Sequence, residues 1–149
     1  MGEILYAAPQ FGQHLARANR YASTGARVLI VDGDPAALAA ISQALQSEGH
    51  QTATAFDAEG AIGAAARLGP FDLLITDLHM TPIDGVELAE TLRRRDSGLQ
   101  VLYVTSAHDE LFGRALTTPD ADDLIEKPFS EGELVDAVSS LLSLHKPGE

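Results

Sequence analysis

The sequence predicts an α/β fold, a parallel sheet covered by helices on both faces. The first observation is that five apolar, strand-like runs alternate with amphipathic, helix-like segments between residues 27 and 145. The second is that three of these runs, the first, third and fourth, end abruptly on polar residues, at Asp32, Asp77 and Thr105. Strand-then-helix units in series favour a doubly wound parallel sheet, and ligands bind such sheets at the carboxyl ends of the strands.

The first unit begins with Val28 to Val31, an apolar run that ends at Asp32. Asp34-Pro35 has the order of a helix N-cap followed by a first-turn proline, and Gly49 ends the helix. Its apolar residues recur at helical spacing at Leu38, Ile41 and Leu45.

The second and third units follow without a break. Gln51 to Ala55 predicts a weak strand, and the alanine-rich segment Ala58 to Leu68 predicts a helix closed by Gly69-Pro70. Leu73 to Thr76 is too short for an independent helix and predicts a buried strand ending at Asp77. After a turn-rich loop, a helix is expected from Val86 to Arg94.

The last two units close the domain. Gln100 to Val104 predicts the fourth strand, and a shorter helix is expected at Asp109 to Leu116. Asp123 to Glu126 predicts a short fifth strand, and Glu131 to Leu144 predicts the last helix. Residues 1–26 are expected to be an N-terminal extension or linker, residues 27–145 the domain, and residues 146–149 a tail.

Composition excludes several classes of function. The chain has no cysteine, which removes disulfides, thiolate chemistry and cysteine-based zinc sites. No apolar run reaches the roughly 18 to 20 residues of a membrane span, and the first residues lack a secretion signal, so a cytoplasmic location is expected. The net charge of −12 is carried by the domain, because Arg17 and Arg20 against Glu3 leave residues 1–26 at +1. Direct contact with nucleic acid or an anionic membrane is therefore not expected.

Polar residues at the strand ends predict a site. Asp32 and Asp34 follow the first strand, Asp77 the third and Thr105 the fourth, while Lys127 follows the fifth. Clustered carboxylates repel one another unless a divalent cation or an ammonium group lies among them. Hard oxygen ligands without histidine or cysteine favour magnesium over zinc.

From about Ala26 to Leu144 the chain resembles a response-regulator receiver domain of two-component signalling, in the CheY-like superfamily. Four motifs carry the resemblance: Val28-Leu29-Ile30-Val31-Asp32, Asp77 with Asp84-Gly85 seven residues later, Val104-Thr105-Ser106 and Lys127-Pro128-Phe129. Each motif is weak alone, but their order and spacing are specific. The resemblance implies a flavodoxin-like (βα)5 sandwich with strand order 2-1-3-4-5.

The resemblance also implies roles for individual residues. Asp77 matches the acceptor of a phosphoryl group from phosphohistidine, Lys127 its ionic partner, and Thr105 the hydroxyl that binds the phosphate. Mg²⁺ would be held by Asp32, Asp77 and the backbone carbonyl of His79. The peptide bond between Lys127 and Pro128 is expected to be cis. Such a domain is not an enzyme in the usual sense; it catalyses only its own phosphorylation and slow dephosphorylation.

Three positions depart from the family pattern. Gly33 stands where a second metal-binding acid is expected, which predicts weakened Mg²⁺ binding. Asp34 is expected to cap the following helix, with metal ligation through the flexible Gly33 as the alternative. Leu124 replaces the aromatic residue that often moves on activation, and Pro82 lies one position later than usual.

Two other functions compete with the phosphoacceptor. Gly33 and Leu124 suit a pseudo-receiver, a protein-binding module with weak or no phosphorylation. Asp32-Gly33-Asp34 also resembles the opening of haloacid-dehalogenase-type phosphatases with Asp32 as nucleophile, a remoter alternative that leaves Asp77 unexplained.

The resemblance implies protein partners. These are a histidine kinase or a histidine phosphotransfer protein, and a downstream target or further domains of a longer parent chain. A homodimer through the fourth helix, fifth strand and last helix is the family's usual assembly, and no nucleic acid or membrane partner is expected.

Overall fold

A computed structural model of the protein describes residues 25–106 and 123–144. The five strands are β1 (Arg27–Val31), β2 (Gln51–Ala55), β3 (Leu73–Asp77), β4 (Gln100–Thr105) and β5 (Asp123–Glu126). The helices described are α1 (Pro35–Ser47), α2 (Ala58–Leu68), α3 (Gly85–Arg95) and α4 (Glu131–Leu144). The helix expected at Asp109 to Leu116 lies outside the described residues, as do residues 1–24 and 145–149.

All five strands form one parallel sheet in the order β2-β1-β3-β4-β5, which confirms the predicted fold class. The register brings the polar strand ends to the same level. Val31 pairs with Thr76, so the residues that follow them, Asp32 and Asp77, emerge side by side. Asp77 itself pairs with Val104 of the neighbouring strand.

The sheet separates two apolar cores. Because successive residues of a strand face opposite sides, Leu29 of β1 packs with α2 and α3 while Ile30 packs with α1 and α4. Both residues are buried. The apolar stripe predicted for the first helix lies in the second of these cores, at Leu38, Ile41 and Leu45. Apolar residues of α3 and α4 also lie in the two cores: Val86, Leu88, Ala89, Leu92, Leu134, Val138, Leu141 and Leu142.

Acidic caps define where three helices begin. The Asp34 side chain accepts a hydrogen bond from Ala36 N–H at 3.0 Å, which confirms the predicted cap of α1. The Asp57 side chain caps α2 in the same way. Asp84 forms a capping box with Glu87 at the start of α3, with hydrogen bonds of 2.8 and 3.0 Å. Each cap accepts a hydrogen bond from a backbone amide that has no partner within its helix, and this fixes the residue at which the helix begins. The loop before each helix is positioned as a result.

At the amino ends of the strands lies a buried acid, Asp72, that the sequence analysis did not identify as important. Asp72 is fully buried and accepts a hydrogen bond from Arg27 N–H at 2.8 Å. The Arg27 guanidinium lies over the Phe71 ring, 5.3 Å from its centre. These contacts hold the start of β1 against the start of β3.

The peptide bond between Lys127 and Pro128 is cis, as the resemblance implied, and the bonds preceding Pro70 and Pro82 are also cis. Within residues 25–106 and 123–144, no helix is long and apolar enough to cross a membrane.

Candidate functional site

The carboxyl edge of the sheet brings an ammonium group between two carboxylates. Lys127 Nζ lies 3.1 Å from Asp32 Oδ2 and 3.8 Å from Asp77 Oδ2. The Asp32 side chain is only 4% exposed and that of Asp77 is 20% exposed, so Asp77 is the more accessible carboxylate. The predicted partners are therefore together, although the lysine lies closer to Asp32 than to the expected acceptor.

The electrostatics of Lys127 follow from this placement. Partial burial acts to lower the pKa of Lys127, but the hydrogen bond to Asp32 and the charges of Asp32, Asp77 and Asp34 outweigh it and raise that pKa above its ordinary value. The Lys127 N–H also donates to the Thr105 carbonyl at 2.7 Å, which anchors the lysine backbone to the end of β4. A charged, tethered ammonium thus offsets the repulsion between the two acids.

Each carboxylate also accepts a hydrogen bond from its own loop. Asp32 Oδ1 accepts from Asp34 N–H at 2.9 Å, and Asp77 Oδ1 accepts from His79 N–H at 3.2 Å. The other oxygen of each acid faces Lys127. Two loop amides therefore orient both carboxylates toward the same space.

The side chains at this edge of the sheet are suited to binding a hard divalent cation, although they include one carboxylate fewer than the family pattern. Asp32 and Asp77 offer carboxylate oxygens, and the His79 backbone carbonyl follows on the same loop; such ligands suit Mg²⁺. Gly33 contributes no side chain, and the Asp34 side chain is engaged in capping α1. In the part of the chain that the structure describes, no three acidic or histidine side chains are grouped closely enough to hold a metal unaided.

Thr105 lies at the end of β4 with its hydroxyl turned to the main chain. The residue is 1% exposed, and its Oγ1 donates to the Ser106 carbonyl at 3.1 Å. On the neighbouring strand, Leu124 is partly buried and packs against the core shared with α2 and α3. The sequence predicted the position of Thr105 but not the hydrogen bond that its hydroxyl makes.

The loop after Asp77 packs closely on the start of α3, where the Asp84-Gly85 pair lies. Gly85 N–H donates to the Leu78 carbonyl at 2.9 Å. A Cβ atom at position 85 would overlap the Asp77 carbonyl oxygen, so no larger residue fits there without displacing the Asp77 backbone. Gly85 thus allows α3 to start directly against Asp77.

One exposed side chain beside the site was missed by the sequence analysis. Phe56 directly follows β2 and is 62% exposed. Ala55 of β2 pairs with Val31 of β1, so the next residues along the two strands, Phe56 and Asp32, lie at the same level. No sequence signal identified it, because a phenylalanine after a strand is as consistent with burial as with exposure.

Fold and site together define a doubly wound domain with two acids and a lysine at the carboxyl edge of its sheet. The family model for the response regulator receiver domain matches residues 28–139. The chain belongs to this family, whose members act in two-component signal transduction.

Its curated relatives are bacterial regulators. The chain is 36% identical over 129 residues to the transcriptional regulatory protein TrcR of Mycobacterium tuberculosis, covering 86% of this chain and 49% of that protein. It is 34% identical over 116 residues to the DNA-binding response regulator MtrA of Mycolicibacterium smegmatis, covering 78% of this chain and 50% of the relative. The chain thus spans about half the length of these relatives.

Solved structures agree with the fold. The chemotaxis response regulator CheY4 of Vibrio cholerae superposes with a TM-score of 0.69 at 26% identity, covering 79% of this chain and 99% of that one. The response regulator TrrA of Thermotoga maritima, in complex with Mg²⁺ and BeF, gives a TM-score of 0.67 at 30% identity, covering 77% and 97%.

Proposed function

We propose that this receiver domain accepts a phosphoryl group on Asp77 from a phosphohistidine and passes the signal on by a change of conformation. The observation that carries the proposal is the Lys127 ammonium, 3.1 Å from Asp32 and 3.8 Å from Asp77. It supports the assignment because the accessible acid has a cation beside it that can offset the incoming negative charge.

In the proposed step, an Asp77 carboxylate oxygen attacks the phosphorus in line with the nitrogen of the donor histidine. The new O–P bond forms as the N–P bond breaks, and the imidazole nitrogen leaves with the electron pair. Lys127 remains charged throughout and binds the added phosphoryl oxygens. Mg²⁺, held by Asp32, Asp77 and the His79 carbonyl, would supply charge neutralisation between carboxylate and phosphoryl group.

The signal would start at Thr105. Its hydroxyl now donates to the Ser106 carbonyl, and a phosphoryl group on Asp77 offers a stronger, charged acceptor. Turning the hydroxyl toward that acceptor would release the Ser106 backbone and move the loop after β4. Because Leu124 takes the usual aromatic position, this route does not depend on an aromatic side chain.

The domain boundaries, the location and the partners are also part of this proposal. Residues 27–145 form the receiver, residues 1–26 an extension or linker, and residues 146–149 a tail. This chain would act in the cytoplasm, where a histidine kinase or a histidine phosphotransfer protein would donate the phosphoryl group. A target protein or domains of a longer parent chain would receive the signal. Homodimerisation would use the helix expected at Asp109 to Leu116, β5 and α4. With a charge of −12, this chain would not itself contact DNA.

The pseudo-receiver is the second candidate, and Gly33 is the observation that favours it. With no side chain at that position, Asp32 and Asp77 are the carboxylates left for a cation beside Lys127. The phosphatase alternative is set aside, because the chain belongs to the receiver family and Asp77, not Asp32, is the more accessible acid.

The test is labelling of the purified chain by acetyl phosphate with MgCl2, followed by intact-protein mass spectrometry. We expect the parent to gain one phosphoryl group and Asp77→Asn to gain none. Asp57→Asn is the matched control, because asparagine caps a helix as well as aspartate and Asp57 lies on the same edge. Equal labelling of Asp77→Asn and the parent would refute the acceptor assignment. An unlabelled parent would leave the pseudo-receiver as the function.

A further inference from the structure

An exposed aromatic ring lies on the edge of the sheet that a phosphodonor must approach. Phe56 and Leu68 are the two large hydrophobic side chains exposed within residues 25–106 and 123–144, at 62% and 46%. They lie at opposite ends of α2, about 16 Å apart for an 11-residue helix. Phe56 is at the acceptor end and Leu68 at the far end.

Phe56 is within the area that a docked protein would cover. Its strand β2 lies two positions from β3 in the sheet, with β1 between them. At about 4.8 Å per strand, its backbone is roughly 10 Å from that of Asp77. A standard interface covers about 800 Å² on each partner, a patch roughly 30 Å across. A donor protein centred on Asp77 would therefore extend over Phe56.

The residues around Phe56 indicate what kind of surface would cover it. Asp57 directly follows Phe56, and Asp34 lies in the loop between β1 and α1; both acids are exposed, as are Pro35 and Ala36, which add small apolar surface. In that same loop Gly33 has no side chain, and a Cβ at its position would lie 3.9 Å from the Phe56 carbonyl oxygen. An apolar ring among acids is complementary to an apolar patch flanked by basic residues.

We propose that Phe56 is an anchoring contact for the protein phosphodonor, inserted in an apolar patch with basic neighbours on the donor surface. This rests on the proposed function, since it presumes transfer to Asp77. Phe56 takes no part in the chemistry, so it contributes to recognition of a protein donor and not to the reactivity of Asp77. Buried aromatic side chains dominate the affinity of many interfaces, which makes a single ring sufficient for a measurable effect.

The experiment compares two phosphodonors on the same variants. A panel of purified, autophosphorylated histidine kinase cores is used to find the core that phosphorylates the parent fastest, and acetyl phosphate serves as the small donor. The variants are Phe56→Ala, Phe56→Leu and, as the matched control, Leu68→Ala. Rates of transfer are measured over a range of receiver concentrations, which separates KM from kcat.

We expect Phe56→Ala to raise KM for the kinase core about tenfold with little change in kcat, while its labelling by acetyl phosphate equals that of the parent. Phe56→Leu should recover most of the loss, and Leu68→Ala should match the parent with both donors. An unchanged KM in Phe56→Ala would overturn the inference, as would an equal loss in Leu68→Ala. A parent that accepts from no kinase core would also overturn it. Failure of the parent with acetyl phosphate would instead refute the proposed function.

Discussion

Restoring an acid at position 33 should strengthen magnesium binding by at least about tenfold. Gly33 is exposed, its φ is not in the left-handed region, and a Cβ there meets nothing closer than the Phe56 carbonyl oxygen at 3.9 Å. A Cβ atom therefore has room at position 33, and we expect the Gly33→Asp side chain to be accommodated. It adds a third carboxylate beside Asp32 and Asp77, within reach of a cation held by those two acids.

The expected gain in Mg²⁺ affinity is estimated from the charges and from the water that they lose on binding. At an effective dielectric of about 20, a carboxylate about 4 Å from a divalent ion gains roughly 8 kcal/mol of gross attraction. Most of this is lost because both groups give up water, and a net gain of at least about 1.4 kcal/mol is expected, a factor of about ten in Kd. Without the ion, three carboxylates share the single Lys127 ammonium, so the new charge adds net repulsion. Gly33→Asp should thus be less stable than the parent in EDTA and gain more stability from MgCl2.

The assay is urea unfolding in EDTA and in excess MgCl2, together with calorimetric titration of the ion. Gly33→Asn is the matched control, because it has the same shape without the charge, and Gly33→Ala corrects for the lost flexibility of glycine. If Gly33→Asp and Gly33→Asn bind Mg²⁺ equally well, the edge does not hold the ion by its carboxylates. That result would refute the reasoning about Gly33.

Two further predictions concern stability. Burial lowers the pKa of His50, despite the charges of Glu48 and Asp72, and its Nδ1 accepts a hydrogen bond from Ala26 N–H at 2.9 Å. Below about pH 6.5 the unfolded chain therefore binds a proton that the folded chain does not, and the free energy of unfolding should fall as the pH drops. The fall is at most about 1.4 kcal/mol per pH unit. Urea titrations at several pH values measure this slope, and His50→Asn, which keeps a hydrogen-bond acceptor, should reduce it. Loss of the α3 capping box in Asp84→Ala should cost about 1 kcal/mol in urea unfolding, whereas Asp84→Asn should cost less, and equal stability of all three proteins would contradict the role of the cap.

Much of the fold could be predicted because its signals are local. Apolar runs and helix caps fix the elements, and five strand-then-helix units leave few topologies for a parallel sheet. The differences are at the ends: β3 includes Asp77, and α3 runs from Gly85 to Arg95, one residue further at each end than expected. Asp77 still continues the ladder, by pairing with Val104, a contact that depends on the neighbouring strand.

The order of the strand ends was enough to predict that Asp32, Asp77 and Lys127 lie together, but not the contacts among them. That Lys127 lies nearer Asp32 than Asp77 depends on the packing around Asp32, which is 3% exposed as a residue. The exposure of Phe56 likewise results from the way α2 packs, information that spacing along the chain does not contain.

Gly33, in the loop after Asp32, and Gly85, at the start of α3, differ in how freely they can be replaced. A side chain at position 85 would collide with the Asp77 backbone, whereas one at position 33 has room. Every glycine codon differs by a single base from a codon for aspartate or glutamate, so an acid at position 33 is within one mutation of being gained. On an evolutionary timescale, the charge at position 33 is then an adjustable trait of this domain, while the contact between Asp77 and α3 is fixed by geometry.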